Sequence, residues 1–170
     1  EHYGVVPDMV VIGKGLGGGI FPFAALIARE ELNLAADKAL GHYTHEKSPV
    51  ACAAALATLE VIRKENLLEN AERVGQFALE KLRELQRRHS LVGDVRGLGL
   101  LLGVELVRDR QSLERATEEA EEVMYQALER GLSFKLTMGN IITLTPALTI
   151  TEEEMAEAIA ILDECLGLVT

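Results

Sequence analysis

Pro7-Asp8-Met9-Val10-Val11-Ile12-Gly13-Lys14-Gly15-Leu16-Gly17-Gly18-Gly19 is the stretch that decides how this 170-residue sequence is read. Asp8 to Gly13 is a short, continuous apolar run after a proline, the pattern of a strand buried on both faces. It delivers Lys14 at its end, and a glycine turn follows. Phe21 to Ala28 then carries Pro22 in a run too short for a helix, so a second strand is expected.

The glycines fit two familiar phosphate-binding patterns badly. Gly13, Gly15 and Gly18 match G-x-G-x-x-G in form, but a dinucleotide site needs a helix to begin there, and here a strand with Pro22 follows. A Walker loop places its lysine after the glycines, whereas Lys14 precedes them. A third reading is a lysine displayed among residues without side chains, as a Schiff-base lysine requires. Its amine must reach a bulky planar cofactor, and burial or nearby cations favour the neutral, nucleophilic form. On residues alone, a strand-end charge in solvent is the commoner explanation of such a lysine.

Outward from this stretch, Arg29 to Leu40 reads as a short helix or turn region and Gly41 to Lys47 as a polar loop. Ser48-Pro49 opens a helix, Ser48 as cap and Pro49 where its missing N–H costs nothing, with a body from Ala51 to Lys64. Its alanines predict close packing between layers. Asn66 to His89 is an amphipathic helix with apolar residues at Leu67, Leu68, Ala71, Val74, Phe77, Ala78, Leu82 and Leu85. Val92 to Val107 reads as two strands with a turn near Gly97 to Gly99, and Leu113 to Arg130 as a helix stopped by Gly131. Phe134 to Leu136 and Ile141 to Leu144 are short strands about a turn at Met138-Gly139-Asn140. Thr151-Glu152-Glu153-Glu154 is a capping box for a last helix striped with Met155, Ile159, Leu162 and Leu166.

Composition narrows the class. Hydrophobic residues make up 48% and charged residues 26%, a balance too apolar for disorder and too interrupted by charge for membrane spans. A net charge of −10 argues against a bulk positive potential for nucleic acid or an anionic membrane. Cys52 and Cys165 lie far apart in apolar helical patterns and read as buried thiols, so a cytoplasmic protein is expected. No signal peptide is visible, and a start at Glu1, just before a strand, reads as a fragment entered in mid-domain. His2, His42, His45 and His89 have no metal-site spacing, and no metal is expected.

The segment Pro7 to Gly19 closely resembles the lysine segment of the class III aminotransferases, pyridoxal-phosphate enzymes of fold type I. The resemblance continues through Phe23-Ala24-Ala25, through Thr44, and through Ser48 to Ala57. It then takes in Val95 to Leu100, Gly103 to Leu106 and Pro146 to Glu154, where a structural role explains the glycines and the Thr151–Glu154 cap. It implies an α/β chain with an aspartate-aminotransferase-like fold: residues 1–65 end the large cofactor-binding domain, and residues 66–170 form a small C-terminal α+β domain. Lys14 would hold pyridoxal 5'-phosphate as an imine and act as the catalytic base. Thr44 would reach the cofactor phosphate of the neighbouring subunit in a homodimer. The implied reaction carries an amino group from a small-molecule donor to a keto acid or aldehyde. A lyase or epimerase of the same fold is the alternative, and a non-catalytic α/β interaction module the second.

Two departures bear on the substrate. The family commonly has a carboxylate-clamping arginine where Thr143 stands, so an amine, an ω-amino compound or an aminophosphonate is the expected amino compound. The loop His45-Glu46-Lys47-Ser48 stands where the family often has an aromatic, two glycines and an asparagine, and its charges would alter a phosphate site. Together they resemble class III members that perform elimination or other chemistry on amino compounds rather than transamination. Upstream parts of the cofactor site, including the aspartate that would keep the pyridine ring protonated, are not in this sequence.

Overall fold

A computed structural model describes residues 2–38, 41, 43, 44, 46 and 48–169. The chain divides into two compact units, Glu1–Glu65 and Asn66–Thr170.

In the first unit, β1 (Met9–Ile12) pairs antiparallel with β2 (Ala25–Ala28), with Met9 opposite Ala28 and Ile12 opposite Ala25. Between them run a 3-10 turn, Lys14–Gly17, and two left-handed glycines, Gly18 and Gly19. The strand–glycine–strand reading holds, with β2 confined to Ala25–Ala28. Among the described residues β1 has β2 as its partner and is exposed, Met9 at 57% and Val11 at 77%, since a two-stranded ribbon of four residues per strand cannot cover its own faces. Arg29 to Lys38 forms a 3-10 turn at Glu30–Leu32 followed by irregular turns, and Ala39 and Leu40 lie outside the described residues.

Helix α1 (Pro49–Lys64) starts with proline in its first turn, but Ser48 makes no side-chain capping bond, contrary to the expected cap. The helix turns Ala51 and Ala55 inward and packs on the glycine loop, where a Cβ on Gly18 would stand 2.9 Å from Thr58 Oγ1. Its outer face, with Val50, Leu56 and Leu59, is exposed among the described residues.

In the second unit α2 (Leu67–Arg88) lies against a sheet ordered β3 (Val92–Leu98), β4 (Leu101–Asp109), β7 (Ile141–Leu144), β6 (Lys135–Thr137), antiparallel throughout. The expected α2 stripe buries Val74, Ala78, Leu82 and Leu85 completely, while Leu68 falls outside it and is 76% exposed. Strand alternation sends Val95, Val104 and Ile142 into the core as one cross-strand row. The adjacent row, Arg96–Gly103–Thr143–Lys135, lies on the opposite face.

Helix α3 (Thr117–Glu129) begins four residues later than the sequence predicts. Leu113 adopts φ +57°, and Glu114–Arg115 forms a short strand, β5, on the edge of β4. Arg108 closes this corner by bonding Glu114, Glu118 and Glu119, and its pKa is raised as a result. The helix ends as expected: Gly131 takes φ +89°, its N–H reaches Leu128 O, and the Leu132 N–H reaches Ala127 O, a Schellman cap. Helix α4 (Glu152–Leu168) opens with the predicted capping box, and Met155, Ile159, Leu162 and Leu166 are all buried. Asn140, the buried polar residue among the described residues of this unit, donates Nδ2–H to Leu106 O at 2.8 Å.

Among the described residues, no helix is long and apolar enough to cross a membrane. Cys165 is buried, whereas Cys52 is only half-buried, a partial correction to the expected pair of buried thiols.

Candidate functional site

Lys14 follows β1 directly and its side chain is exposed. Its backbone is unusual. With φ +52° it sits in the left-handed region, which disfavours a residue carrying Cβ by about 1 kcal/mol or more. The turn holds it there through Leu16 N–H to Gly13 O at 3.2 Å and Gly18 N–H to Gly15 O at 2.9 Å. Strain of this kind is retained where surrounding structure and function require it.

The lysine stands at an open cleft of about 620 Å³, lined with it by Gly19, Ile20, Phe21, Pro22, Phe23 and Ala24. That lining contains no carboxylate. A Cβ placed on Gly15 or on Gly19 would meet nothing within 4 Å, so the ground beside the amine is kept clear. A primary amine, two half-buried phenylalanines and glycine-cleared space fit a flat aromatic aldehyde. Phe21 and Phe23 were legible only as strand residues; what places them on the cleft is the tightness of the Gly17–Gly19 turn.

Thr44 lies in an exposed turn and is not among the residues lining the cleft. Glu46 is in the same turn, its N–H donating to Tyr43 O at 3.0 Å. His42, His45 and Lys47 lie outside the described residues, and with them most of the altered loop. Thr143 is half-buried on β7, its hydroxyl 2.7 Å from that of Thr137.

The displaced pKa values of the second unit have structural causes. Asp109 is lowered by the backbone and hydroxyl of Ser112 and the backbone of Gln111, and Glu119 by Arg108. Burial pushes the Asp163 carboxyl up, but hydrogen bonds with His89 and Arg88 outweigh it and leave it lowered. Among the described residues no cluster of His, Cys, Asp and Glu has the makings of a metal site.

The class-III aminotransferase family model matches residues 1–166. The chain is 48% identical over 167 residues to an (R)-1-hydroxy-2-aminoethylphosphonate ammonia-lyase from Vibrio splendidus, matching 98% of this chain and 35% of that protein. It is 41% identical to a leucine/methionine racemase from Thermococcus litoralis, over 98% of this chain and 38% of the racemase. Among solved structures it resembles an amine transaminase from an uncultivated Pseudomonas species in its PLP-bound form, with a TM-score of 0.91 and 30% identity. That match covers 99% of this chain and 40% of the transaminase. The chain thus spans well under half the length of these relatives, and within that span its α/β fold is theirs. By sequence and by fold, the chain belongs to the class-III aminotransferase family.

Proposed function

We propose that Lys14 is the cofactor-holding and proton-transferring lysine of an enzyme that moves the amino group of a small amino compound to a carbonyl acceptor. The observation carrying this reading is an amine on a strained backbone at the edge of a glycine-cleared cleft. Pyridoxal phosphate is the cofactor implied by the family and by the PLP-bound transaminase. When bound, it supplies an aldehyde for the substrate amine and a ring that withdraws electrons from the adjacent carbon. Lys14 supplies the amine that tethers it and, once displaced by substrate, a base that takes and returns the proton on that carbon. Phe21 and Phe23 line the cleft beside Lys14 and would limit water there. In this reading residues 1–65 belong to the cofactor domain and residues 66–170 to a small C-terminal domain. Thr44 serves the phosphate of a partner subunit.

The test is reduction of the full-length, cofactor-loaded protein with borohydride, followed by peptide mapping. The cofactor label is expected on Lys14 and is expected to vanish in Lys14→Ala. A label on another lysine contradicts the assignment, and a folded protein with no label leaves the interaction-module reading.

Elimination of ammonia is a second reading. It is favoured by the 48% identity to an ammonia-lyase and by a neutral, hydrogen-bonded threonine at 143, where an arginine would clamp a carboxylate. Turnover with ammonia release and no keto-acid acceptor would select it.

A further inference from the structure

Lys14 keeps a left-handed backbone, and such a conformation persists only where neighbouring groups leave the chain no alternative. The hydrogen bonds of its own turn are a weak constraint. Leu16 N–H reaches Gly13 O at 3.2 Å, and the N–H groups of Ile20 and Phe21 both reach Gly17 O at 3.3 Å, the long end of the usual range or beyond it. Gly18 N–H to Gly15 O, at 2.9 Å, has an ordinary length. The remaining constraint is packing, and it comes from two sides.

On one side is the chain that leads into β2. A Cβ on Gly13 would stand 3.3 Å from Ala24 Cβ, and one on Gly17, which is buried, 3.5 Å from Phe23 Cβ. On the other side is α1, with Ala51, Ala55 and Thr58 at helical spacing along one face. Thr58 is the residue that meets Gly18. A Cβ at Gly18 would be 2.9 Å from Thr58 Oγ1, closer than real side chains stand to a neighbour. The Thr58 hydroxyl donates to Ala54 O at 2.8 Å, one turn back along the helix. That bond fixes the rotamer of a β-branched side chain, so the oxygen facing Gly18 is a rigid stop. Gly18, with φ +69°, caps the 3-10 turn that Lys14 begins. The peptide groups between them are planar, so a shift at Gly18 has only the few dihedrals of the turn, those of Lys14 included, to absorb it.

We propose that Thr58 is a positioning residue for Lys14: through Gly18 it holds the turn in the form that brings the amine to the cleft. The proposal rests on the reading of Lys14 as the cofactor lysine. Thr58 is not among the residues lining the cleft, so its effect passes through the turn. The test uses the full-length protein loaded with pyridoxal phosphate, native and as Thr58→Ala, Thr58→Val and Thr58→Ser. Alanine removes the stop, valine keeps the shape but loses the bond to Ala54, and serine keeps both the oxygen and the bond. Four quantities are measured for each: the melting temperature, the borohydride label on Lys14, the pH midpoint of the lysine-bound cofactor's absorption band, and the rate at which hydroxylamine takes the cofactor from the lysine.

All three variants are expected to melt within about 4 °C of the native protein, because the site is half-buried and alanine is a better helix former than threonine. The label is expected to stay on Lys14. In Thr58→Ala and Thr58→Val the midpoint should move by at least about half a pH unit and the hydroxylamine rate change at least about threefold, while Thr58→Ser stays native in both. A native protein without the label on Lys14 removes the reading of that lysine, and this inference with it. A labelled native protein whose Thr58→Ala and Thr58→Val variants keep the native midpoint and rate overturns the positioning role alone. So does a Thr58→Ser variant that departs as far as Thr58→Ala, or a change in the band that appears only with a matching loss of melting temperature.

Discussion

Asp163 shows what single side chains contribute outside the cleft. Its carboxylate lies 2.6 Å from His89 Nε2 and 2.5 Å from Arg88 Nη1, tying the end of α2 to α4. Because these partners hold its folded pKa below the ordinary aspartate value of about 3.9, its stabilising contribution is complete above that value. It is lost as pH falls through the folded value. Asp163→Asn should therefore cost up to about 1 kcal/mol near neutrality, a figure kept small by partial exposure. The gap to the native protein should close below about pH 4. Denaturant titrations at both pH values check this, and a gap of constant size would mean that the carboxylate's charge contributes nothing.

At the scale of elements, what could be read from the sequence was what neighbours in the chain decide. The Thr151–Glu154 box, the Gly131 stop and the α4 stripe depend on spacing within a turn or two of helix, and all three formed. The cover of β1 and the start of α3 depend on distant segments: among the described residues β1 pairs with β2, and β5 claims Glu114–Arg115 for the β4 edge, so α3 starts later than expected. Lys14 was legible from its motif, whereas its left-handed backbone was not. The contact between Thr58 and Gly18 was illegible because the two meet only through the packing of α1 on the glycine turn.

Register and packing also bring α2 against the β3–β4 turn more closely than any side chain permits. A Cβ on Gly75 would lie 2.2 Å from Gly99 O. Gly75→Ala is thus expected to destabilise by about 1–3 kcal/mol or more, despite the better helix propensity of alanine. A thermal melt that matched or exceeded the native one would contradict this contact.

At the scale of the whole chain, the two units differ in what holds them. Asn66–Thr170 has a core with Leu82, Leu85, Leu106, Ile142, Leu162 and Leu166 fully out of water. Among the described residues of Glu1–Glu65 the buried ones are Gly17, Ala51 and Ala55, which remove little apolar area. Hydrogen exchange on this 170-residue chain should give strong protection for amides in β4 and α4. Protection in β1 and β2 should be lower by at least about two orders of magnitude. Equal protection in the two units would show that the first is stabilised by something other than its own buried surface. The family membership read from Pro7 to Gly19 survives this contrast, because a motif reports ancestry even where the segment carrying it contributes little to stability.

The contact between Gly75 and Gly99 also bears on inheritance. Position 99 is confined by its backbone, with φ +53°, and position 75 by the carbonyl that this backbone presents to it. Position 75 cannot drift alone, whereas a Cβ at 99 would meet nothing closer than 3.6 Å. A lineage that gains a side chain at 75 must first move the hairpin, so the freedom of one site is written in the shape of the other.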